Sequence, residues 1–180
     1  MLPLSVDERC QLRLIEESDA EELAALVDAN RTYLSRWMPW AEANTIQDTQ
    51  EHIRRAVEQV ERDDGFQAVI VCDGRIVGAA GFHRIDRANR STSLGYWLAE
   101  DAQGRGIMTR AVSAMVDHAF SQWGLNRVEI RCAPANRRSR AIPERLGFQE
   151  EGTLRQAERI GNRYLDNVVY SMLAGEWNER

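Results

Sequence analysis

Residues 9–15, Arg-Cys-Gln-Leu-Arg-Leu-Ile, alternate polar and apolar side chains and predict a strand with one face in a core. The period then changes. Leu23, Leu26 and Val27 sit three and four apart, and Ser18 followed by Glu21 has the form of a capping box, so a helix is expected to start at Ser18. In the aromatic segment 33–40, Pro39 argues against a continuous helix. A second amphipathic helix is expected from about Thr49 to Arg62. Residues 66–72 and 75–85 are β-rich and meet at Asp73-Gly74, a two-residue hairpin signal. Another strand is expected at 91–98, followed by polar, Gly-rich 101–106. A helix then carries Ile107, Ala111, Met115, Ala119 and Phe120. At 126–132, Val128, Ile130 and Cys132 alternate with Glu129 and Arg131, which predicts a strand. A short helix near 138–146 stops at Gly147. Two last strands, 148–156 and 164–173, flank Gly161-Asn162.

The order β-α-α-β-β-β-α-β-α-β-β describes a mixed α/β domain with several hairpins, not the strict alternation of a doubly wound fold. With 180 residues, no repeat and no Pro- or Gly-rich linker, a single domain over 1–180 is expected.

Composition narrows the chemistry. All 23 basic side chains are Arg; there is no Lys, which excludes Schiff-base chemistry on the protein and a Walker A loop. A GC-rich coding sequence would explain the missing Lys without function. The 28 acidic side chains leave a net charge of −5, which argues against general nucleic-acid binding. Segment 127–145 runs the other way, with Arg127, Arg131, Arg137, Arg138, Arg140 and Arg145 against Glu129 and Glu144. It is either a solvated face or an anion site. Cys10, Cys72 and Cys132 are odd in number and far apart, which fits free thiols in a reducing cytoplasm better than a disulfide framework. No Cys/His cluster has metal-ligand spacing. The N-terminus lacks the basic and apolar regions of a signal peptide, and no run reaches membrane-spanning length.

The most informative stretch is Gln103-Gly104-Arg105-Gly106-Ile107-Met108-Thr109. Two glycines turn the backbone, and the helix start adds free N–H groups and a positive dipole end. Together they make a cradle for a pyrophosphate that needs no Lys. A structural turn would use the glycines as readily. Thr109 stands where a dinucleotide fingerprint has its third Gly.

Gly95-Tyr96-Trp97-Leu98 precedes this loop. Asn136-Arg137-Arg138-Ser139-Arg140-Ala141 follows one strand later, and Leu146-Gly147-Phe148 closes the next helix. This order resembles the GNAT superfamily of acyl-CoA-dependent N-acyltransferases. Trp37-Met38-Pro39-Trp40, Pro143-Glu144-Arg145 and Gly152-Thr153-Leu154-Arg155 resemble its RimJ/RimL branch, which acetylates ribosomal protein N-termini.

The resemblance implies a mostly antiparallel twisted sheet flanked by helices. It implies acetyl-CoA as co-substrate, with 103–109 on the pyrophosphate and Trp97 and Leu98 beside the pantetheine arm. Asn136 would bind the arm or serve as a turn residue. Arg105, Arg110, Arg137, Arg138 and Arg140 are candidates for the phosphates, some being surface charge only. The acceptor would be a protein N-terminus, possibly ribosomal, or a small amine (a polyamine, an aminoglycoside or an amino acid); the alternative is a CoA-binding regulatory module with little turnover. No direct nucleic-acid or membrane partner is expected; a homo-oligomer is possible.

Amine attack on a thioester needs a proton route, an oxyanion donor and stabilisation of the leaving thiolate. A backbone N–H near Leu98 would serve the oxyanion. Many superfamily members carry a Tyr where this chain has Pro143, which has no proton to give. Ser139 is the nearest replacement, and reads equally as a helix N-cap or first-turn hydroxyl. Glu158 and His83 are the candidate bases, with Glu100 and Asp101 weaker ones and a water relay an alternative. Trp37, Met38 and Trp40 would wall the acceptor site or serve as core. Cys132 reads as a buried small hydrophobe rather than a nucleophile.

Overall fold

The computed structural model describes residues 3–179, so Met1, Leu2 and Arg180, the ends of the expected domain, lie outside the described residues. Eight described strands form one sheet: β1 Leu4–Ser5, β2 Cys10–Leu14, β3 Gln67–Cys72, β4 Arg75–Phe82, β5 Ser91–Leu98, β6 Arg127–Cys132, β7 Gln149–Ile160 and β8 Arg163–Leu173. Their order is β1-β2-β3-β4-β5-β6-β8-β7, and every pairing is antiparallel except β5 with β6. The helices are α1 Ala20–Ala29, α2 Arg31–Leu34, α3 Ile46–Glu61, α4 Ile107–Ser121, α5 Arg137–Arg145 and α6 Ala174–Asn178. The mixed, mostly antiparallel sheet is the one expected.

The strand period sets which helix covers which face. In β3, Ala68 and Ile70 pack with Met115 and Val112 of α4, whereas Val69 between them packs with Ile53 and Ala56 of α3. Sheet residues therefore bury side chains on both faces. Truncating one such side chain to Ala costs about 2–5 kcal/mol.

Two helix starts differ from expectation. The first helix begins at Ala20, not Ser18, because Asp19 is drawn into the fold. Its carboxylate accepts both Arg13 guanidinium N–H groups, at 2.6 and 2.7 Å, and the Glu16 amide at 2.9 Å. This closes the short 3-10 turn Glu17–Asp19 instead of the Ser18/Glu21 box. α3 starts three residues before Thr49. Thr45 caps it by accepting the Asp48 amide, and Asp48 accepts the Thr45 amide in return.

The Asp73-Gly74 turn forms as expected, with φ of 50° and 79°. It brings a correction. Cys10 and Cys72 are direct partners in the β2–β3 register, with Cα atoms 4.1 Å apart, and they form a disulfide. A separation of 62 residues hid this pairing from the cysteine count; Cys132 alone is free. No helix among the described residues is long and apolar enough to cross a membrane.

Candidate active site

β5 pairs with β6 only from Ser91 to Leu94, against Arg127 to Ile130. Beyond that, β5 follows β4 as far as Leu98, and β6 follows β8 as far as Cys132. The two strands separate, which leaves the 95–98 edge of β5 unpaired on its β6 side. Gly78 keeps β4 tight against this strand, since a Cβ there would lie 2.3 Å from the Trp97 carbonyl oxygen. A cavity of about 820 Å³ opens at the separation.

Beyond β5, the turn Glu100–Ala102 leads into the glycine loop. Gly104 and Gly106 have φ of 77° and 72°, the left-handed region that favours glycine. Among the described residues, none of the amides of 104–109 meets a protein acceptor. The loop leads into α4, and the amides of 107–109 open that helix with no partner one turn back. The Ile107 and Met108 side chains are buried. Gln103 ties the loop down: its Nε2 donates to the Leu98 carbonyl at 3.2 Å, and its Oε1 accepts from Arg138 at 2.5 Å. Arg105 donates to the Asp101 carbonyl, and Arg110 donates to Asp7 at 2.6 Å.

Eight of the sequence-predicted residues line the cavity: Trp37, Met38, Trp40, His83, Trp97, Asn136, Ser139 and Glu158. They come from five separated parts of the chain. Leu98 and the 103–109 loop are outside its lining, and so is Arg140. The Arg140 guanidinium is committed elsewhere. Its Nε donates to the Tyr170 hydroxyl at 2.7 Å, and it pairs with Glu144 and Glu150 at 3.3 Å. Two more Arg of the basic run are ion-paired, Arg127 and Arg131 on Glu129, with Arg127 also on Glu151.

α5 shows which residue caps. Asn136 accepts the Ser139 amide at 3.2 Å, so the N-cap is Asn136 and the Ser139 hydroxyl is not used for capping. That hydroxyl lies 3.1 Å from the Cys132 sulfur and 3.5 Å from the Tyr96 hydroxyl. Burial raises the Cys132 thiol, with opposition from its bonds to Ser139 and Tyr96, so at neutral pH it is a thiol and not a thiolate.

Also lining the cavity, Asn167 donates to Glu158 at 3.5 Å, and His83 Nδ1 lies 3.0 Å from the Ser93 hydroxyl. The surrounding protein lowers the His83 pKa by desolvation, helped by the charge on Arg131, so the neutral ring is favoured. Trp40 and Trp97 form an aromatic wall with ring centroids 6.2 Å apart.

Sequence reasoning missed Tyr96, Asn167 and His52, all of which line the cavity. Asn167 had a signal: it is the one amide beside the apolar run Val168-Val169-Tyr170. Tyr96 and His52 had none beyond their place on a strand and a helix.

The comparisons agree with this geometry. A family model for the acetyltransferase (GNAT) domain matches residues 9–149. A Bacillus subtilis (strain 168) protein, YdaF, provisionally named a ribosomal N-acetyltransferase, is 37% identical over 98% of both chains. The microcin C7 self-immunity acetyltransferase MccE, solved with acetyl-CoA and AMP, is 29% identical with a TM-score of 0.89, over 93% of this chain and 94% of that one. RimL, the ribosomal L7/L12 alpha-N-protein acetyltransferase solved with coenzyme A, is 28% identical with a TM-score of 0.91, over 97% and 99% of the chains. The split strands, the loop of free amides and these matches agree: the chain belongs to the GNAT family of acetyltransferases, with RimL-like enzymes among its relatives.

Proposed function

We propose that this protein transfers the acetyl group of acetyl-CoA to the N-terminal α-amine of a protein, a ribosomal protein above all. The amides of 104–109 take the pyrophosphate, with the helix dipole of α4 behind them. The pantetheine arm lies along the free edge of β5 at Trp97 and Leu98. The thioester then sits between the Ser139 end of the cavity and the Glu158 end. A neutral amine attacks the carbonyl carbon, a C–N bond forms, and the C–S bond breaks. Glu158 takes the amine proton, and the Ser139 hydroxyl donates a hydrogen bond to the departing thiolate. Trp37 and Trp40 wall the acceptor's first residue. RimL and YdaF carry names that support a ribosomal acceptor.

The observation that carries this reading is the single cavity joining Ser139 to Glu158 beneath the unpaired edge of β5. Glu158→Gln, assayed by release of CoA thiol with a panel of N-terminal peptides, should lower kcat by about 10²–10³-fold. His83→Ala should leave most of the rate in place. A full rate in Glu158→Gln would reject Glu158 as the base. Turnover of polyamines or amino acids in preference to peptides would reject the protein acceptor.

A further inference from the structure

Pro143 lies inside α5, where a residue normally donates its N–H to the carbonyl four residues back. That carbonyl belongs to Ser139, and Pro143 has no N–H to give it. Its oxygen is met by another donor: the Tyr96 hydroxyl of β5, at 3.0 Å. The same Tyr96 oxygen faces the Ser139 hydroxyl at 3.5 Å, and the Cys132 sulfur lies 3.1 Å from that hydroxyl. We propose that Tyr96 is a positioning residue that fixes Ser139 for the leaving thiolate, and that Pro143 makes this possible by leaving the Ser139 carbonyl free for it. The inference rests on the role given to Ser139 above.

The physical chain has three links. A carbonyl stripped of its helical donor needs a replacement when it is half-buried. The Tyr96 phenol supplies it from a strand whose register is locked by pairing Gly95 with Gly81 and Tyr96 with Ala80. The α5 backbone at Ser139 is thereby pinned across the cleft to β5, the strand that carries the thioester. The donor role of the phenol is used up on the carbonyl, so only its oxygen faces Ser139. The 3.5 Å contact is long for O–H···O. A departing thiolate, being charged, is the stronger acceptor and draws the Ser139 hydrogen away from Tyr96. Burial pushes the Tyr96 phenol well above 10, so it remains a donor to the carbonyl over the working pH range.

The test is a cycle of variants on the full-length enzyme, followed by thiol release with acetyl-CoA and an accepted peptide. Ser139→Ala should slow kcat with little change in the KM for acetyl-CoA. Tyr96→Phe should lower kcat about 10-fold in the wild-type background, again with that KM within twofold, and should have no further effect in the Ser139→Ala background. Pro143→Ala, which returns an N–H to compete for the Ser139 carbonyl, should lower kcat in the same direction without touching the phenol. This keeps the proposal testable if Tyr96→Phe does not fold. A wild-type rate in Ser139→Ala would remove the Ser139 role and this inference with it. A slow Ser139→Ala beside unchanged rates in Tyr96→Phe or Pro143→Ala would remove the positioning role alone. Additive losses in the double variant would also overturn it, because they would mean Tyr96 acts independently of Ser139.

Discussion

The loop at 103–109 and the cavity beside it are built by opposite means. The loop is contiguous and made of backbone: two glycines in the left-handed region and six amides that meet no acceptor among the described residues. The cavity is discontinuous and made of side chains, from Trp37 near one end of the chain to Glu158 and Asn167 near the other. A backbone site tolerates changes of side chain and fails when the chain cannot turn. A side-chain site fails when any one of several remote elements moves.

The largest expected effect follows from that asymmetry. Gly106→Val places a β-branched residue at φ of 72°, a conformation that costs a residue with a Cβ about 1–2 kcal/mol, and crowds Arg110, 2.8 Å from the new Cβ position. The loop has to rearrange, and the dissociation constant for acetyl-CoA, measured by calorimetry, should rise about 10–100-fold. Arg105→Ala in the same loop should change it by less than about threefold if the amides carry the binding. A larger loss in Arg105→Ala would mean that this site is also built from side chains.

The cavity's counterpart is the bulge in β7. Leu154 pairs with Asn167 and Glu158 with Leu165, so β7 holds two more residues than β8 between these pairs. In an unbroken ladder Gln156 would stand opposite Leu165. The bulge puts Glu158 there, beside Asn167 at the cavity. Gln156 pays with a φ of 52°, and its amide is held by the Asp166 carboxylate at 2.8 Å. Asp166→Ala should therefore lower kcat about 10-fold and leave acetyl-CoA affinity unchanged, while Asp166→Asn, which keeps an accepting oxygen, should restore most of the rate. A loss of affinity equal to the loss of rate would show that the two regions are not separable.

The same contrast explains what the sequence disclosed. The loop could be found because its signal is local: two glycines separated by one residue, and the helix start that follows. The strands could be found because β6 alternates and β8 carries the apolar run Val168-Val169-Tyr170. The Asp73-Gly74 hairpin was legible for the same local reason. The bulge was not: Gln156 is an ordinary residue, and the two-residue offset appears only when β7 is set against β8. The bond from Tyr96 to Ser139 spans 43 residues. The half of it that was visible, a Pro where a Tyr was expected, pointed to a lost acid and gave no sign of the carbonyl it frees. The Cys10–Cys72 disulfide was missed likewise, because pairing depends on register and not on spacing.

The smallest effect concerns what holds the ribbon carrying Glu158 to the sheet. Arg127 of β6 reaches across β8 to both Glu151 oxygens of β7, each at 2.6 Å, and Ser171 of β8 donates to Glu151 at 2.7 Å. The Arg127 guanidinium and the Ser171 hydroxyl hold the Glu151 carboxyl down at about 2, against an ordinary 4.5. A carboxylate with a folded pKa below its unfolded one stabilises the fold above the unfolded value, and that stabilisation fades as pH falls from about 5 toward 2. The side chain is 40% exposed, so solvent screening leaves about 1 kcal/mol of it. Glu151→Gln should then lower Tm at pH 7 by about 2–4 °C, and the gap to wild type should close by pH 2. Its kcat at 25 °C should be unchanged, because Glu151 holds the ribbon at the root and the bulge sets Glu158 further along. A gap that persists at pH 2 would assign the loss to packing and not to charge. A fall in kcat would mean that the root of the ribbon also sets the position of Glu158, and the cavity would then depend on one more remote pair than the bulge alone implies.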